Sequence, residues 1–317
     1  MSVRPLHVVL GAGPAGTALT AELARRQVRV RQVSRGEIPE HDGSVERLRR
    51  DVSGPRDAIA ATEGAAVIYN ALNVPYHLQV DTLPNLTQSV LAAAVHHQAR
   101  LVVLGTLYPY GDADGDAISE ETPWAATSRK GRLRADLDRR YLEAHRRGDV
   151  GVAIGRSADF FGPGVVNSSL GGAFFPGALS GRPVLGIGDI TVPHSYTYIL
   201  DVARGLASLG SAPIGDGQVW HLPTQPAVPT TVVHQMVEEI TGQPLTVDRL
   251  DAPAPYGPFD EQFMDEYREL FYQHQIPQNM ISSRFERTFG VLPTPWRQAL
   301  GETVEWYEHA LTGGRLG

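Results

Sequence analysis

The chain has 317 residues, a formal net charge of −7, a sequence pI near 5.9 and no cysteine. At roughly 150 residues per domain this length fits one large unit with a smaller appendage. The acidic balance supplies no overall positive field for nucleic-acid phosphates, and the absence of cysteine excludes disulfides, thiolate metal sites and cysteine nucleophiles.

The opening MSVRPLHVVLGAG has too short an apolar run for a secretory leader. No stretch approaches the roughly 18 apolar residues of a membrane span. A cytoplasmic protein without nucleic-acid or membrane partners is therefore the expectation, its oligomeric state open.

In chain order, short apolar runs alternate with helical patterns, the signature of βαβ units feeding a parallel sheet. Strands are expected near His7 to Leu10, Val28 to Val33, Ala65 to Ala71, Leu101 to Thr106 and Val150 to Arg156. A helix is expected over Pro84 to His97, rich in good helix formers. A second is expected over Ser128 to Arg147, where Leu133, Leu137, Tyr141 and Ala144 form one apolar stripe. The latter helix is crowded with charges of both signs, which reads as a solvated face, with an anion-binding surface as the alternative.

Beyond Arg156 the pattern turns to glycine- and proline-punctuated segments, and the tail from Pro258 to Leu311 looks mostly helical. The fold class expected is α/β, a Rossmann-type doubly wound parallel sheet with a smaller C-terminal substrate-binding lobe. Residues 1–160 form the dinucleotide-binding core and 161–317 the lobe, with about 184–223 returning to the core.

Gly11-Ala12-Gly13-Pro14-Ala15-Gly16 follows the first strand directly and precedes a plausible helix. This is GxGxxG in the strand-to-helix setting it requires. The first glycine makes the tight turn, the second admits the pyrophosphate, and the third packs helix on strand. The helix N-terminus then offers unpaired N–H groups to the phosphates.

The second strand ends in Ser34-Arg35 where a cofactor with a free ribose 2′-hydroxyl prefers an acidic residue. A guanidinium and a hydroxyl suit a 2′-phosphate. NADPH is thus expected, with NADH second and FAD behind both. An ordinary loop arginine is the alternative reading of Arg35.

Several blocks in order resemble the extended, epimerase-like short-chain dehydrogenases. They are GAGPAG (11–16), YNALN (69–73), VVLGTLYPYG (102–111), GRSADFFGPG (155–164), YTYILDVARGL (196–206) and FGVLPTPWRQALGETVEWY (289–307). The resemblance implies that Thr106 is the active-site hydroxyl holding a substrate carbonyl oxygen. It also implies that Asp51 meets the adenine amine and that Ala71 and Asn73 lie along the cofactor ribose.

The chain departs from that pattern at the YxxxK helix, where a lysine one turn on tunes a tyrosine general acid. The segment reads PWAATSRKGRLRADLD and supplies no tyrosine in either register, one placing Ser128 and Arg132 at the two positions, the other Ala126 and Lys130. Ser128 is carried forward as a candidate catalytic hydroxyl. A second departure is Ser195 in place of the arginine that clamps a sugar-nucleotide diphosphate in such epimerases.

An uncharged or weakly acidic ketone is then the expected substrate, as in tyrosine-lacking ketoreductases that tailor aromatic polyketides. The alternatives are a non-catalytic dinucleotide sensor and a sugar-nucleotide epimerase or dehydratase.

Aromatic and polar residues near these motifs, Tyr108, Tyr110, Phe161 and Tyr196 with Asp159 and Ser195, are candidates for the substrate wall. His194 is a candidate proton donor, or else a loop histidine satisfied by backbone. Asp159 would orient the nicotinamide or a substrate hydroxyl, or else cap a following helix. Without HExxH, a cysteine ligand or two histidines on one helix face, no metal is expected.

Overall fold

The computed structural model describes residues 4–41, 45–115 and 117–314. Seven strands form its central sheet: β1 (Leu6–Leu10), β2 (Arg29–Ser34), β3 (Glu46–Arg49), β4 (Ala65–Asn70), β5 (Arg100–Thr106), β6 (Val152–Ser157) and β7 (Gln218–His221). Every pairing is parallel and the spatial order is β3-β2-β1-β4-β5-β6-β7. The order reverses between β1 and β4, so the crevice at their C-terminal ends is the topological switch point where such sheets bind ligands.

Parallel strands buried on both faces need long apolar runs, and β1 (LHVVL) is buried throughout. One face of the sheet packs on α2 (Pro55–Ala61), α3 (Gln79–His97) and α4 (Arg129–Arg146), with Val8, Leu10, Ile68, Val90 and Tyr141 in one core. The other face packs on α1 (Pro14–Arg25) and α5 (Ile199–Ser211), where Leu19, Leu23, Val202 and Leu206 meet Val9, Val30 and Val102.

The five expected strands and both expected helices are present. Helix α3 starts five residues before Pro84, which sits inside it. At the sixth position, past the four unpaired N–H groups of the first turn, the proline removes the hydrogen bond to the Val80 carbonyl, a loss the nineteen-residue helix absorbs. Strand β3 (ERLR) is an exposed edge strand with no apolar alternation, and sequence pattern gives no sign of it.

Of the segment 184–223, α5 and β7 lie in the core, whereas Val184–Ile187 pairs with Val247–Leu250 in a separate small sheet. That sheet adjoins an apolar cluster built on Phe174, Phe175, Val233, Leu300 and Tyr307. Among the described residues no helix is long and apolar enough to cross a membrane.

Candidate active site

The glycine loop has the form its sequence requires. Gly11 has φ of +119°, and a Cβ there would lie 2.7 Å from the Ala71 carbonyl oxygen at the end of β4. A Cβ on Gly16 would overlap the Gly11 carbonyl. Around Gly13, by contrast, a Cβ would meet nothing within 4 Å. The space beside Gly13 therefore faces outward, and Gly13 caps α1 with no side-chain hydrogen bond and no acidic residue in the first turn. Pro14 opens the helix and Ala15 is buried behind it. An uncapped helix N-terminus beside open backbone fits a dinucleotide pyrophosphate.

Buried Gln32 Nε2 donates to the Gly11 carbonyl at 3.0 Å and so fixes the turn, a role sequence reading did not assign. At the end of β2 the Ser34 hydroxyl accepts from the Gly36 amide at 3.2 Å, and Arg49 Nε donates to the Arg35 carbonyl at 2.9 Å. The Arg35 and Arg49 side chains are both exposed here. Asp51 is exposed too, with its carboxylate accepting from the Ser53 amide at 2.8 Å, an interaction that holds its pKa below the ordinary value. The Ala71 amide donates to Leu10 at 3.0 Å across the switch point.

A cavity of about 990 Å³ adjoins this crevice. Asn73, Thr106, Tyr108, Arg134, Ser157 and Asp159 line one end, and residues 166–169 and 258–260 with Phe263, Tyr267, Gln273 and Gln278 contribute the lobe side. Thr106 ends β5 directly beside Ser157 of β6. Its hydroxyl accepts from the Tyr108 amide at 3.4 Å, which leaves its hydrogen free to donate.

Arg134 projects from α4, donates from Nη2 to Asn73 Oδ1 at 2.9 Å, and keeps a buried Nε without a partner. Tyr108 shares a 2.8 Å hydrogen bond with Tyr76. His194 Nδ1 lies 3.2 Å from the Gln273 carbonyl oxygen and its Nε2 lies 3.1 Å from Asp159 Oδ2.

Several expected site residues lie elsewhere. Ser128 is the N-cap of α4, its hydroxyl accepting from the Gly131 amide at 3.1 Å, and it does not line the cavity. Tyr110 is buried against His221, 2.7 Å from Nε2, with the Arg156 guanidinium 4.5 Å from its ring centroid. Phe161 is buried and stacks on Trp296, while its neighbour Phe160 lines the cavity. Ser195 is fully buried and its hydroxyl accepts from the Met280 amide at 2.9 Å. Tyr196 is buried with its hydroxyl on Thr230 at 2.9 Å. For these residues local backbone and packing demands absorb the polar groups that the sequence left available.

The charges of α4 also divide differently from a uniformly solvated face. Arg129, Arg132, Arg139 and Arg140 are exposed, but Lys130 is fully buried, Arg134 lines the cavity, and Asp138 is buried against Arg156 at 2.7 Å. Lys130, Arg134 and Asp138 recur every four residues, on the side of the helix that carries Leu137 and Tyr141. That coincidence with the apolar stripe was the available signal.

The structure further brings together Asp159, His194 and His274, whose ligand-type atoms all lie within 4.8 Å of one another. The Tyr267 hydroxyl engages His274 Nε2 at 2.6 Å, and His194 and His274 are stacked at 4.8 Å with 17° between planes. Stacked rings direct their in-plane lone pairs along parallel planes, a poor arrangement for aiming both at one ion.

Residues 7–217 match the model of the NAD dependent epimerase/dehydratase family. The chain belongs to that family. No curated protein matches it. Among solved structures, MoeE5 in complex with UDP-glucose and NAD is 23% identical with a TM-score of 0.79, covering 96% of this chain and 99% of that one.

DesIV, a dTDP-glucose 4,6-dehydratase from Streptomyces venezuelae solved as a double mutant with NAD and DAU bound, is 19% identical, with a TM-score of 0.80 and coverage of 98% and 99%. UDP-glucuronic acid 4-epimerase from Bacillus cereus in complex with NAD is 18% identical, with a TM-score of 0.77 and coverage of 97% and 98%. These likenesses extend the shared fold to nearly the whole length of the chain. The family and fold agree with a Rossmann-type enzyme using a nicotinamide cofactor. Nothing in the matches points to an aromatic polyketide.

Proposed function

We propose that the protein is a nicotinamide-dependent oxidoreductase acting on an alcohol or ketone carbon of a sugar nucleotide, with epimerase- or dehydratase-type chemistry. The carrying observation is the cavity at the switch-point crevice. Its lining combines hydroxyls and amides (Asn167, Ser168, Ser169, Gln262, Gln273, Gln278) with aromatic rings (Tyr76, Phe259, Phe263). Hydroxyl- and amide-bearing walls satisfy a polyhydroxylated molecule, and ring faces suit a sugar or a base. The neighbours that bind UDP-sugars and dTDP-sugars support the same class.

In this reading Gly11, Gly13 and Gly16 with the start of α1 hold the cofactor pyrophosphate. Ser34, Arg35 and Asp51 face the adenosine, and Ala71 and Asn73 face the ribose at the nicotinamide end. When bound, the nicotinamide supplies or takes up the hydride. Thr106 donates a hydrogen bond to the substrate oxygen and so fixes the carbon that reacts. We favour NADPH over NADH because Ser34 ends β2 and Arg35 follows it, with Arg49 alongside on β3. The similar solved structures argue the other way, since they hold NAD.

A second reading, NADPH-dependent reduction of an uncharged cyclic or aromatic ketone, draws on one specific observation. Ser195 is sealed in the interior, and Arg134 is the single lysine or arginine side chain among the described residues lining the cavity. A diphosphate there would find little positive charge. The test is incubation of purified protein with UDP-glucose, UDP-glucuronic acid and dTDP-glucose plus either oxidised dinucleotide, reading sugar conversion by proton NMR. Conversion at an enzymatic rate supports the first reading. Inertness toward all three together with NADPH-dependent reduction of cyclic ketones moves the assignment to the second, and tight dinucleotide binding with no turnover of any kind leaves a sensor.

A further inference from the structure

Hydride transfer at a carbon bearing oxygen also moves a proton, so the cavity must hold a group that gives and takes one. The tyrosines lining it are poor candidates. Burial pushes Tyr76 up to about 12 and carries Tyr108 and Tyr267 well above the ordinary phenol value. The nearest ammonium, Lys130, is committed to Glu266 and Glu269. The one tyrosine of α4, Tyr141, is buried on Thr87 at 3.1 Å and Asn70 at 2.9 Å. A threonine hydroxyl such as that of Thr106 is too weakly acidic for the task.

Asp159 and His194 have a different character. A backbone carbonyl can only accept, so His194 Nδ1 carries a hydrogen and donates it to Gln273. The opposite nitrogen, Nε2, then faces a carboxylate oxygen at 3.1 Å, and two acceptors would repel at that distance. A proton must lie between them. His194 is 3% exposed and sits behind Asp159, which is 24% exposed and lines the cavity two residues past Ser157, the neighbour of Thr106.

We propose that Asp159 is the catalytic carboxylate of this site, and that His194, positioned by the Gln273 carbonyl, stores the proton that Asp159 exchanges with substrate. The assignment rests on the reading that this cavity carries out hydride transfer. When an alcohol is oxidised its C–H bond gives up a hydride to the bound nicotinamide. Oxidation starts from the pair without its shared proton: the O–H proton passes to Asp159 and is then shared with His194 Nε2 across the 3.1 Å contact. On reduction the same proton returns to the carbonyl oxygen, and His194 is left neutral. Charge and atoms balance with one mobile proton.

The surroundings favour this arrangement. Burial pushes the Asp159 carboxyl up, but the hydrogen bond and charge of His194, with a contribution from His274, outweigh it and hold the carboxyl below the ordinary carboxylate range. Burial, reinforced by the charge of His194, drives His274 down to about 3, so it stays neutral, its Nε2 hydrogen-bonded with the Tyr267 hydroxyl at 2.6 Å. The other titratable groups around Asp159 are the phenols of Tyr76, Tyr108, Tyr196 and Tyr267, all raised and uncharged at neutral pH. One hydrogen-bonded pair therefore sets the proton inventory at this end of the cavity.

The test has one arm that needs no substrate. In protein labelled with ¹⁵N-histidine, with His194 assigned through His194→Gln, both ring nitrogens of His194 should carry hydrogen, and the Nε2 signal should change in Asp159→Asn. A His194 that has a bare Nε2 in wild type, or the same Nε2 signal in the two proteins, overturns the proposal. So does stoichiometric uptake of Zn²⁺ that is abolished by His274→Ala, since the cluster would then be a metal centre. The second arm measures turnover of UDP-glucose, UDP-glucuronic acid or dTDP-glucose. Asp159→Asn should lower kcat by about 100- to 10,000-fold with dinucleotide affinity unchanged. If no sugar nucleotide reacts with wild type while the histidine spectra behave as expected, the substrate reading has failed and the proton pair stands.

Discussion

The Lys130 ammonium, fully buried in the first turn of α4, donates to Glu269 Oε1 at 2.8 Å and to the Glu266 carbonyl oxygen at 3.0 Å, and also pairs with the Glu266 carboxylate. The contact ties α4 to residues 261–274, the helical segment that walls the cavity from the lobe side.

Removing that ammonium leaves Glu266 and Glu269 with only the exposed Arg129 as cationic partner and opens a hole in a packed interface. Lys130→Met should destabilise the fold by about 1–3 kcal/mol, less than for a wholly buried pair because the glutamates are a quarter exposed. The effect should depend on pH. Hydrogen bonding to Lys130 lowers the Glu266 carboxyl; burial raises that of Glu269, but its bonds to Lys130 outweigh this and lower it overall. Groups with depressed folded-state pKa stabilise above the unfolded value of about 4.5 and lose that contribution as pH falls through the folded one. Urea unfolding from pH 7 to 3 should show the wild-type advantage over Lys130→Met narrowing below about pH 4.5. An advantage constant across that range would contradict the ion-pair account.

The two glycines of the loop should respond oppositely to a methyl group. Gly16→Ala drives a Cβ into the Gly11 carbonyl, so it should lower thermal stability and dinucleotide affinity together. Gly13→Ala meets open space in the protein alone, so stability should change by no more than about 0.5 kcal/mol. Its methyl group would nevertheless occupy the approach to the pyrophosphate, and dinucleotide affinity should drop sharply. Thermal melts and fluorescence titrations with NADH and NADPH of both variants check this. Undiminished binding by Gly13→Ala would place the pyrophosphate elsewhere.

How much of this was legible in the sequence follows from the range of the interactions. The strand-turn-helix around Gly11 to Gly16 is local, and its spacing alone carries the requirement for open backbone. Strands β1, β4 and β5 announce themselves because both faces are buried and their residues are almost all apolar. Edge strand β3 has neither constraint. The cavity side chains were harder to find because their environment is set by distant segments. Arg134 and Lys130 looked like part of a solvated charge run, since their partners are distant in sequence: Glu266 and Glu269 for Lys130, Asn73 and the cavity for Arg134. His194 was recognisable as a candidate. Its partner His274 was not, because a loop and a 3₁₀ turn from the far end of the chain bring it there. Ser128 and Tyr110 were misplaced for the converse reason: a helix N-cap and a buried histidine claimed their hydroxyls.

Cofactor choice should turn on the end of β2. Arg35 is exposed, its carbonyl is held by Arg49 and its charge acts on the exposed Asp51, so a substitution there leaves the packed core untouched. Arg35→Ala should weaken NADPH binding by about tenfold or more, the value of a charge-assisted hydrogen bond to phosphate, while altering NADH affinity less than twofold. Parallel titrations of both reduced cofactors decide it. Equal losses would remove the 2′-phosphate role and leave NAD as the natural partner.

Arg134 offers the sharpest separation between structural and binding roles. Its Nη2 is held by Asn73 at 2.9 Å, while Nε is buried without a partner, a cost tolerated where a ligand oxygen completes the set. Asn73 follows β4 at the switch-point crevice, so on the proposed cofactor reading the guanidinium would lie beside the nicotinamide half. Arg134→Leu should therefore weaken NADH and NADPH binding by about 10- to 100-fold, the range for hydrogen bonds from a charged donor, and leave ADP binding unchanged because ADP lacks that half. Arg134→Lys should recover part of the loss, since it restores the charge without the planar fork. Calorimetric titration of the three ligands into each variant provides the measurement. Loss of ADP affinity in parallel would mean that the crevice itself had collapsed, and retention of full NADH affinity would leave Arg134 to the substrate.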